Sequence, residues 1–384
     1  MRAGRRGTRR PPGARSAAGQ LRLLYATPRY LPEIGGVEQH VHEVATRLSA
    51  RGTAVTILTT DRSGELAPVE RVEGIDVRRV RAYPRGADWR IAPGVARTVR
   101  GGDWDLVHVQ SYHTFVAPLA MASAARAAIP YVLTFHGGGH SQSARNAGRR
   151  AQRAALRPLL ARARALIAVA AFEVEEYSRE LRLPRERFAL IPNGVELAPA
   201  PEAPSESPAN GGPLIASVGR LERYKGHHRV IAALPHLRAA EPRARVWIAG
   251  AGPYEGELRR LARDLGVADA VEISAVPANE REQMSRRLSE ASVVVLLSDF
   301  ETHPIAALEA VSLGRPLLVA DGSGLRELAE RGLARSIDAD AAPQNLAEAI
   351  LRELRDPLER GAFHLPSWDD CAQELLELYE RVLA

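Results

Sequence analysis

The chain has 384 residues, of which 45% are hydrophobic and 26% charged, a balance that predicts a globular protein with room for two domains. Its single cysteine, Cys371, excludes an intramolecular disulfide framework and a cysteine-cluster zinc site. No apolar run approaches the roughly 20 residues that a membrane-spanning helix needs. The net charge of +6 equals the number of arginines among residues 1–19, so the rest of the chain is neutral overall.

Residues 1–19 are rich in proline, glycine and arginine and contain no acid, so we expect a disordered basic tail. The tail lacks the apolar segment of a secretory signal. A nucleic-acid-binding arm is one interpretation. We favour a tail of low order or a start codon assigned too far upstream, and we expect no nucleic-acid partner.

Apolar runs alternate with helical patterns over residues 20–198 and predict a first Rossmann-like domain with a parallel sheet. Ligands of such sheets bind at the carboxyl ends of the strands. Strands are expected at 21–26, 55–59, 75–80, 106–110, 130–135, 166–169 and 189–191, and helices at 37–50 and about 114–128.

Two glycine-containing turns of this half follow predicted strands. Gly35 and Gly36 precede the first helix, where backbone without side chains lets an anion approach the amides of a helix N-terminus. They do not form a G-x-G-x-x-G fingerprint, and a lone glycine pair is also a common turn. His136 precedes three glycines, which favours a catalytic position, with a structural histidine in a glycine turn as the equal alternative.

A stretch without acids runs from residue 106 to residue 172 and contains eight arginines. Much of it has a helical, amphipathic pattern. The segment Arg145–Arg164 therefore predicts a basic helix face that could dock on anionic lipid or acidic glycan. A solvated basic face is the alternative.

Residues 199–213 are rich in proline, alanine, serine and glycine and predict a linker. The alternation then restarts and predicts a second Rossmann-like domain over 214–366, followed by a terminal helix within 367–384. Strands are expected at 214–218, 245–249, 271–274, 291–297 and 317–320, and helices at about 228–239, 280–290, 345–354 and 368–383.

Two loops of the second half carry charges at carboxyl ends of predicted strands. Arg220 and Lys225 flank a glycine turn, and two such cations suit a phosphate. Glu301 follows an apolar strand and Glu309 lies in the next helix. On one helix they would be about 12 Å apart, whereas paired hydrolytic carboxylates need roughly 5–9.5 Å. We expect them to hold different parts of one extended ligand, with a solvated helix face as the alternative.

Several motifs occur together in a fixed order, and jointly they resemble family 4 of the retaining glycosyltransferases over residues 20–384. The resemblance implies an α/β chain with the GT-B fold, in which two Rossmann-like parallel-sheet domains face each other across a cleft. The motifs are Gly35-Gly36-Val37-Glu38, His136-Gly137, Pro192-Asn193-Gly194-Val195, Gly219-Arg220-Leu221 with Lys225-Gly226, and Glu301-x7-Glu309.

The resemblance implies transfer of a sugar from a UDP- or GDP-linked donor to a glycan, lipid-linked or small-molecule acceptor. The setting would be the bacterial cytoplasm, with Arg145–Arg164 as a peripheral contact to the inner face of the plasma membrane. Residues 20–198 would bind the acceptor and 214–366 the donor, and the helix within 367–384 would cross back to the first domain. No cofactor and no metal are expected, since cations replace the metal in this fold.

The resemblance also assigns site residues. His136 and Glu301 are expected to be catalytic and to face the donor sugar, and Glu309 to hold the ribose hydroxyls. Residues expected at the diphosphate are Gly35, Gly36, Arg220, Lys225 and Ile305. Residues expected to shape the nucleotide and sugar pocket are Asn193, Ala275, Val276, His303 and Pro304.

The chain departs from the family pattern in two places. Thr302-His303-Pro304 stands where many members have Gly-Phe-Gly, and Ala275 where glycine is common. Pro304 has no N–H, so one amide contact to a donor is absent. The sugar, base and acceptor stay unassigned. Two alternatives are kept open: a sugar-nucleotide epimerase or hydrolase on the same fold, and a non-catalytic GT-B scaffold.

Overall fold

The computed structural model describes residues 20–33, 35–83, 91–137, 143–196, 211–277 and 280–384, without the side chains of 143–147, 149 and 150. Within these ranges the chain forms two sheets flanked by helices, as the alternating pattern predicts. The predicted tail and most of the predicted linker lie outside the described residues.

The first sheet is built from the N-terminal half of the chain. Its strands are β1 (Arg22–Ala26), β2 (Ala54–Asp61), β3 (Val69–Val72), β4 (Ile75–Arg81), β5 (Leu106–Gln110), β6 (Tyr131–Thr134), β7 (Ala165–Ala168) and β8 (Phe188–Leu190). Its helices are α1 (Gly36–Ala50), α2 (Pro93–Gly101), α3 (Val116–Arg126), α4 (Ser143–Leu160) and α5 (Ala171–Leu181). The order is β3-β4-β2-β1-β5-β6-β7-β8, and only β3 pairs antiparallel.

The second sheet is entirely parallel. Its strands are β9 (Leu214–Val218), β10 (Arg245–Ala249), β11 (Val271–Ser274), β12 (Val293–Leu296), β13 (Leu317–Ala320) and β14 (Arg335–Ile337), in the order β11-β10-β9-β12-β13-β14. Its helices are α6 (His227–Ala240), α7 (Glu255–Asp264), α8 (Arg281–Ser289), α9 (Ile305–Ser312), α10 (Ser323–Glu330) and α11 (Pro343–Arg355). The chain ends in α12 (Trp368–Leu383).

Strand order reverses once in each sheet, between β1 and β5 and between β9 and β12. Ligands of open parallel sheets bind in the crevice that such a reversal leaves at the carboxyl ends of the strands. The glycine pair follows β1, the Arg220–Lys225 loop follows β9, and Glu301 follows β12. The topology therefore places all three motifs at reversal points.

Helix α12 packs against α1 and so lies on the first sheet rather than the second. A capping box starts it: the Asp370 N–H donates to Ser367 Oγ at 3.1 Å, and the Ser367 N–H donates to Asp370 Oδ2 at 2.8 Å. The Val195 N–H donates to the Pro366 carbonyl at 2.9 Å. A side chain on Gly194 would overlap the backbone of Trp368, which explains the glycine of the Pro-Asn-Gly motif.

Strands with continuous apolar runs lie where the sequence predicts them. Such runs are a clear signal because a strand that is buried on both faces needs apolar residues throughout. β12, for example, is Val-Val-Val-Leu and entirely buried. The structure adds β3, which alternates between half-buried and exposed residues, and the edge strand β14. It also adds the helices α2 and α5.

The predicted basic face of Arg145–Arg164 is wrong in one respect. Arg153 is buried and pairs with Glu180 of α5, so it does not belong to an exposed surface. Arg157, Arg162 and Arg164 are exposed. In the described ranges, no helix is long and apolar enough to cross a membrane.

A buried hydroxyl of α12 joins this helix to the first sheet. Tyr379 Oη lies 2.8 Å from Tyr25 Oη and 2.6 Å from His108 Nδ1, and His108 Nε2 lies 2.7 Å from Thr134 Oγ1. Tyr379→Phe should cost about 1–3 kcal/mol, because Tyr25 and His108 lose a partner in a buried setting. Differential scanning calorimetry should show a melting temperature lower by several degrees.

Tyr83→Phe is the matched control, because Tyr83 is 55% exposed. Its effect should stay within about 0.5 kcal/mol. Equal melting temperatures for the two variants would contradict a stabilising role of the Tyr379 network.

Candidate active site

The loop after β9 rests on the turn after β10. The Gly219 N–H donates to the Ala249 carbonyl at 3.0 Å, and the Leu221 N–H donates to the Ala251 carbonyl at 2.9 Å. A side chain on Gly250 would overlap the Gly219 carbonyl oxygen. The glycine of that neighbouring turn therefore permits the close approach that supports the loop carrying Arg220 and Lys225.

The two cations of this loop have different partners. Arg220 pairs with Glu222 at 3.0 Å and donates to Tyr224 Oη at 2.9 Å, and its side chain is 42% exposed. Lys225 is largely buried, and its Nζ lies 2.5 Å from Glu301 Oε1. Burial opposes the ammonium charge, but Glu301 and Tyr224 hold the pKa of Lys225 above its ordinary value. Both side chains are therefore charged at neutral pH.

The loop after β12 is held by the start of α10. The Gly324 N–H donates to the Glu301 carbonyl at 2.8 Å, and the Glu301 N–H donates to Ser323 Oγ at 2.9 Å. A side chain on Gly324 would overlap the Thr302 carbonyl oxygen. Ser298 Oγ donates to Glu301 Oε1 at 2.7 Å. These contacts orient the Glu301 carboxylate toward Lys225.

Glu309 lies on α9 and is 3% exposed. Burial raises the pKa of its carboxyl, and Arg281 at the start of α8, which hydrogen bonds to it, opposes the shift. Gln39 of α1 lies near enough to Glu309 to lower the same pKa. The predicted ribose residue thus lies between two helices of the second half and one of the first.

The predicted Gly35-Gly36 element starts α1 on the first-half side of the cleft. A side chain on Gly35 would come within 2.5 Å of Glu38 Oε2. Glu38 is buried and pairs with Arg29 at 3.2 Å. Burial lowers the pKa of Arg220, but Tyr224, Glu222 and, less strongly, Glu38 hold it above its ordinary value. The glycine pair and the Arg220 loop therefore face each other.

His136 lies two residues after the end of β6 and is buried. Burial, with the nearby histidines 40, 108 and 113, lowers its pKa well below the ordinary value, so the imidazole is neutral at pH 7. Its Nε2 lies 2.6 Å from Gln110 Oε1. Because that oxygen can only accept, Nε2 carries the proton and Nδ1 is free to accept a hydrogen bond.

Asn193, the predicted pocket residue of the first half, contacts the second half. Asn193 Nδ2 donates to the His303 carbonyl at 3.0 Å, and Asn193 Oδ1 lies 3.0 Å from His40 Nδ1. Pro304 caps α9, and Ile305 is its first residue. The first N–H groups of a helix have no partner inside it, so the Ile305 amide is available to an anion.

Ala275 and Val276 follow β11, at the carboxyl edge of the second sheet. Ala275 is exposed and Val276 half-buried. β11 is separated from β12 by β10 and β9, so these two residues lie away from Glu301 along the sheet edge. They can contribute only at the far end of an extended ligand.

Four further residues of the site carry no motif that the sequence reveals. Gln110 ends β5, and His40 lies on α1, where its ring contacts that of His136 at 4.6 Å between centroids. Glu173 is fully buried at the start of α5, and Arg281 pairs with Glu309. The one available signal is that Glu173 is the first acid after the acid-free stretch that begins at residue 106.

Metal ligation is not evident in this part of the fold. Over the ranges that the structure describes, no group of three or more His, Cys, Asp or Glu side chains is arranged to hold a metal ion. The charges that converge at the cleft are instead Arg220 and Lys225 with Glu301 and Glu309.

Comparisons with known proteins place the chain in a family. The model of "Glycosyltransferase Family 4" matches residues 34–199, and that of "Glycosyl transferases group 1" matches residues 201–364. Glycogen synthase of Mycobacterium tuberculosis (strain CDC 1551 / Oshkosh) is 31% identical over 365 residues, 88% of this chain and 87% of that protein. D-inositol 3-phosphate glycosyltransferase of Nocardiopsis dassonvillei is 28% identical over 94% of each chain.

A solved structure supports the fold independently. The Anabaena protein HepE, crystallised in complex with UDP-glucose, superposes with a TM-score of 0.70 at 17% identity and covers 94% of this chain and 98% of its own. Together with the two family matches, this likeness identifies the chain as a family 4 glycosyltransferase with the GT-B fold.

Proposed function

We propose that the protein transfers a sugar from a nucleotide-diphosphate sugar to an acceptor hydroxyl, with retention at the anomeric carbon. The observation that carries the proposal is the convergence of Arg220 and Lys225 on the same cleft edge as Glu301 and the buried Glu309. Two cations suit a diphosphate, and a carboxylate suits the ribose hydroxyls at its other end. The UDP-glucose bound by HepE supports a nucleotide-sugar donor.

Diphosphate departure is the step that the cations stabilise. As the bond between the anomeric carbon and the diphosphate oxygen breaks, negative charge develops on the phosphate, and preorganised donors lower the energy of that state. Arg220 and Lys225 supply the charge, and the Ile305 amide with the Gly35-Gly36 backbone supplies N–H groups. Arg220 is the more exposed cation and can turn to the phosphate without breaking the Lys225–Glu301 contact.

Sugar transfer then needs no protein nucleophile. The acceptor oxygen bonds to the anomeric carbon on the face that the phosphate leaves, and the acceptor proton goes to the departing phosphate oxygen. The Glu301 carboxylate stabilises the positive charge that develops on the sugar. The neutral His136 accepts a hydrogen bond from a sugar hydroxyl at Nδ1.

The acceptor is a glycan, a lipid-linked sugar or a small molecule bound by residues 20–198, beside the loop after β5. Glycogen and an inositol phosphate are the acceptor types that the names of the two relatives indicate. UDP and GDP are the nucleoside diphosphates that we favour as the carrier of the sugar. A thermal-shift screen of nucleotide diphosphates and their sugars would identify base and sugar, because a ligand stabilises the state that binds it.

Arg220→Ala should weaken UDP or GDP binding by roughly 10- to 150-fold, since a charge-assisted hydrogen bond is worth about 1.5–3 kcal/mol. Isothermal titration calorimetry measures this directly. Arg223→Ala is the control, because Arg223 lies on the same turn and is exposed. Equal affinities for wild type and Arg220→Ala would show that the diphosphate binds elsewhere.

Glu309→Gln should weaken binding of the nucleoside diphosphate by about tenfold or more, because it removes a charged acceptor for the ribose hydroxyls. The same substitution should have much less effect on a 2′,3′-dideoxy nucleotide. The affinities of wild type and Glu309→Gln for the ordinary and the dideoxy nucleotide together separate a ribose contact from a general loss of structure. A uniform loss for both nucleotides would contradict the ribose assignment.

We also propose that transfer needs no metal ion, since Arg220 and Lys225 neutralise the diphosphate. The rate of sugar transfer in excess EDTA should match the rate in Mg²⁺ to within about twofold. A catalytic Lewis acid supplies several kcal/mol, so its removal would lower the rate far more than this. Loss of turnover in EDTA that Mg²⁺ or Mn²⁺ restores would overturn this part of the proposal.

A further inference from the structure

The His136 turn has an unusual backbone. His136 has a φ of 44°, a left-handed conformation that side chains with a β-carbon rarely adopt. Such residues persist only where their surroundings hold them. A β-carbon on the neighbouring Gly137 would come within 2.7 Å of Glu173 Oε1 and 3.0 Å of Thr302 Cγ2, so a side chain there would force both of these neighbours to move.

Glu173 holds this turn from the first-half side. Its Oε1 accepts the Gly137 N–H at 2.9 Å, and its Oε2 accepts the Val169 N–H at 3.0 Å. The carboxyl is fully buried, and burial raises its pKa to about 7. Burying a carboxyl is costly unless hydrogen bonds compensate, and the two backbone N–H groups provide that compensation at this turn.

Thr302 holds the same turn from the second-half side. Its Oγ1 donates to the Gly137 carbonyl at 2.8 Å. A residue without a side-chain hydroxyl could not make the bond. Glu327 of α10 reinforces the contact nearby, since its carboxylate accepts the Phe172 N–H at 2.6 Å and the Ala171 N–H at 3.3 Å at the start of α5.

We propose that Glu173 and Thr302 are positioning residues that clamp Gly137 from opposite sides of the cleft and so set the position of His136 for transfer. The proposal rests on the function proposed above. Neither residue touches Arg220, Lys225 or Glu309 in the contacts described, so the clamp acts on the sugar end of the site and leaves the nucleotide end unchanged.

The first test uses kinetics with a donor and acceptor that support wild-type turnover. Thr302→Val keeps the side-chain shape and removes the hydroxyl, and it should lower kcat at least about tenfold, because small misplacements of a catalytic group are costly. Thr302→Ser should restore most of the rate. Glu173→Gln should also lower kcat, and the double variant should lose less than the product of the single losses, since both act on one turn.

Calorimetry with UDP and GDP keeps the two proposals apart. Both clamp variants should bind the nucleotide within about threefold of wild type. Lost nucleotide affinity in Arg220→Ala with an unchanged kcat in Thr302→Val would support the function and overturn the clamp. Ser178→Ala is the matched control, because Ser178 Oγ also donates to a carbonyl at 2.8 Å, that of Leu183, at the other end of α5.

Amide hydrogen exchange tests the clamp without turnover. In Glu173→Gln and Thr302→Val, the Gly137 N–H should exchange at least about tenfold faster than in wild type, because its turn opens more often. Ser178→Ala should leave that rate unchanged. An unchanged Gly137 rate in Thr302→Val, which removes only one half-buried hydroxyl, would overturn the proposal whether or not Glu173→Gln folds well.

Discussion

The approach of the Gly324 backbone to residues 301 and 302 determines the geometry of the cleft. The Gly324 N–H bonds to the Glu301 carbonyl, and no other residue fits because its β-carbon would overlap the Thr302 oxygen. With the backbone held there, the Glu301 side chain reaches Lys225 and the Thr302 side chain reaches Gly137 of the other half. One backbone contact therefore orients groups toward both ends of the site, which under the proposed function are the phosphate end and the sugar end.

Electrostatic balance is the second constraint on the cleft. Buried charges are costly unless they are paired, and two of the buried charges here have an ionic partner: Lys225 has Glu301, and Glu309 has Arg281. Under the proposed function, the diphosphate would share Lys225, and the ribose would share Glu309 with Arg281.

The sequence is sufficient for most strands and for the main charges, but not for the order of the strands or the contacts between side chains. β5 and β12 are recognisable because strands buried on both faces are continuously apolar, and polar residues after them fall at the carboxyl edge. β3 is half exposed and has no such run. The Glu173–Gly137 and Arg281–Glu309 contacts join residues 36 and 28 positions apart, and no local pattern indicates which acid or base will fold against which turn.

The histidines near the cleft show why burial suits the proposed chemistry. Burial lowers the pKa of His40 and of His303 to about 4 and that of His136 well below its usual range. All three are therefore uncharged at neutral pH. A sugar that becomes positive during transfer would be destabilised by an imidazolium beside it, whereas a neutral ring can accept a hydrogen bond from a sugar hydroxyl. Under the proposed function, the cations would lie at the phosphate end and the neutral rings at the sugar end, which matches the charge that would develop on each part of the donor.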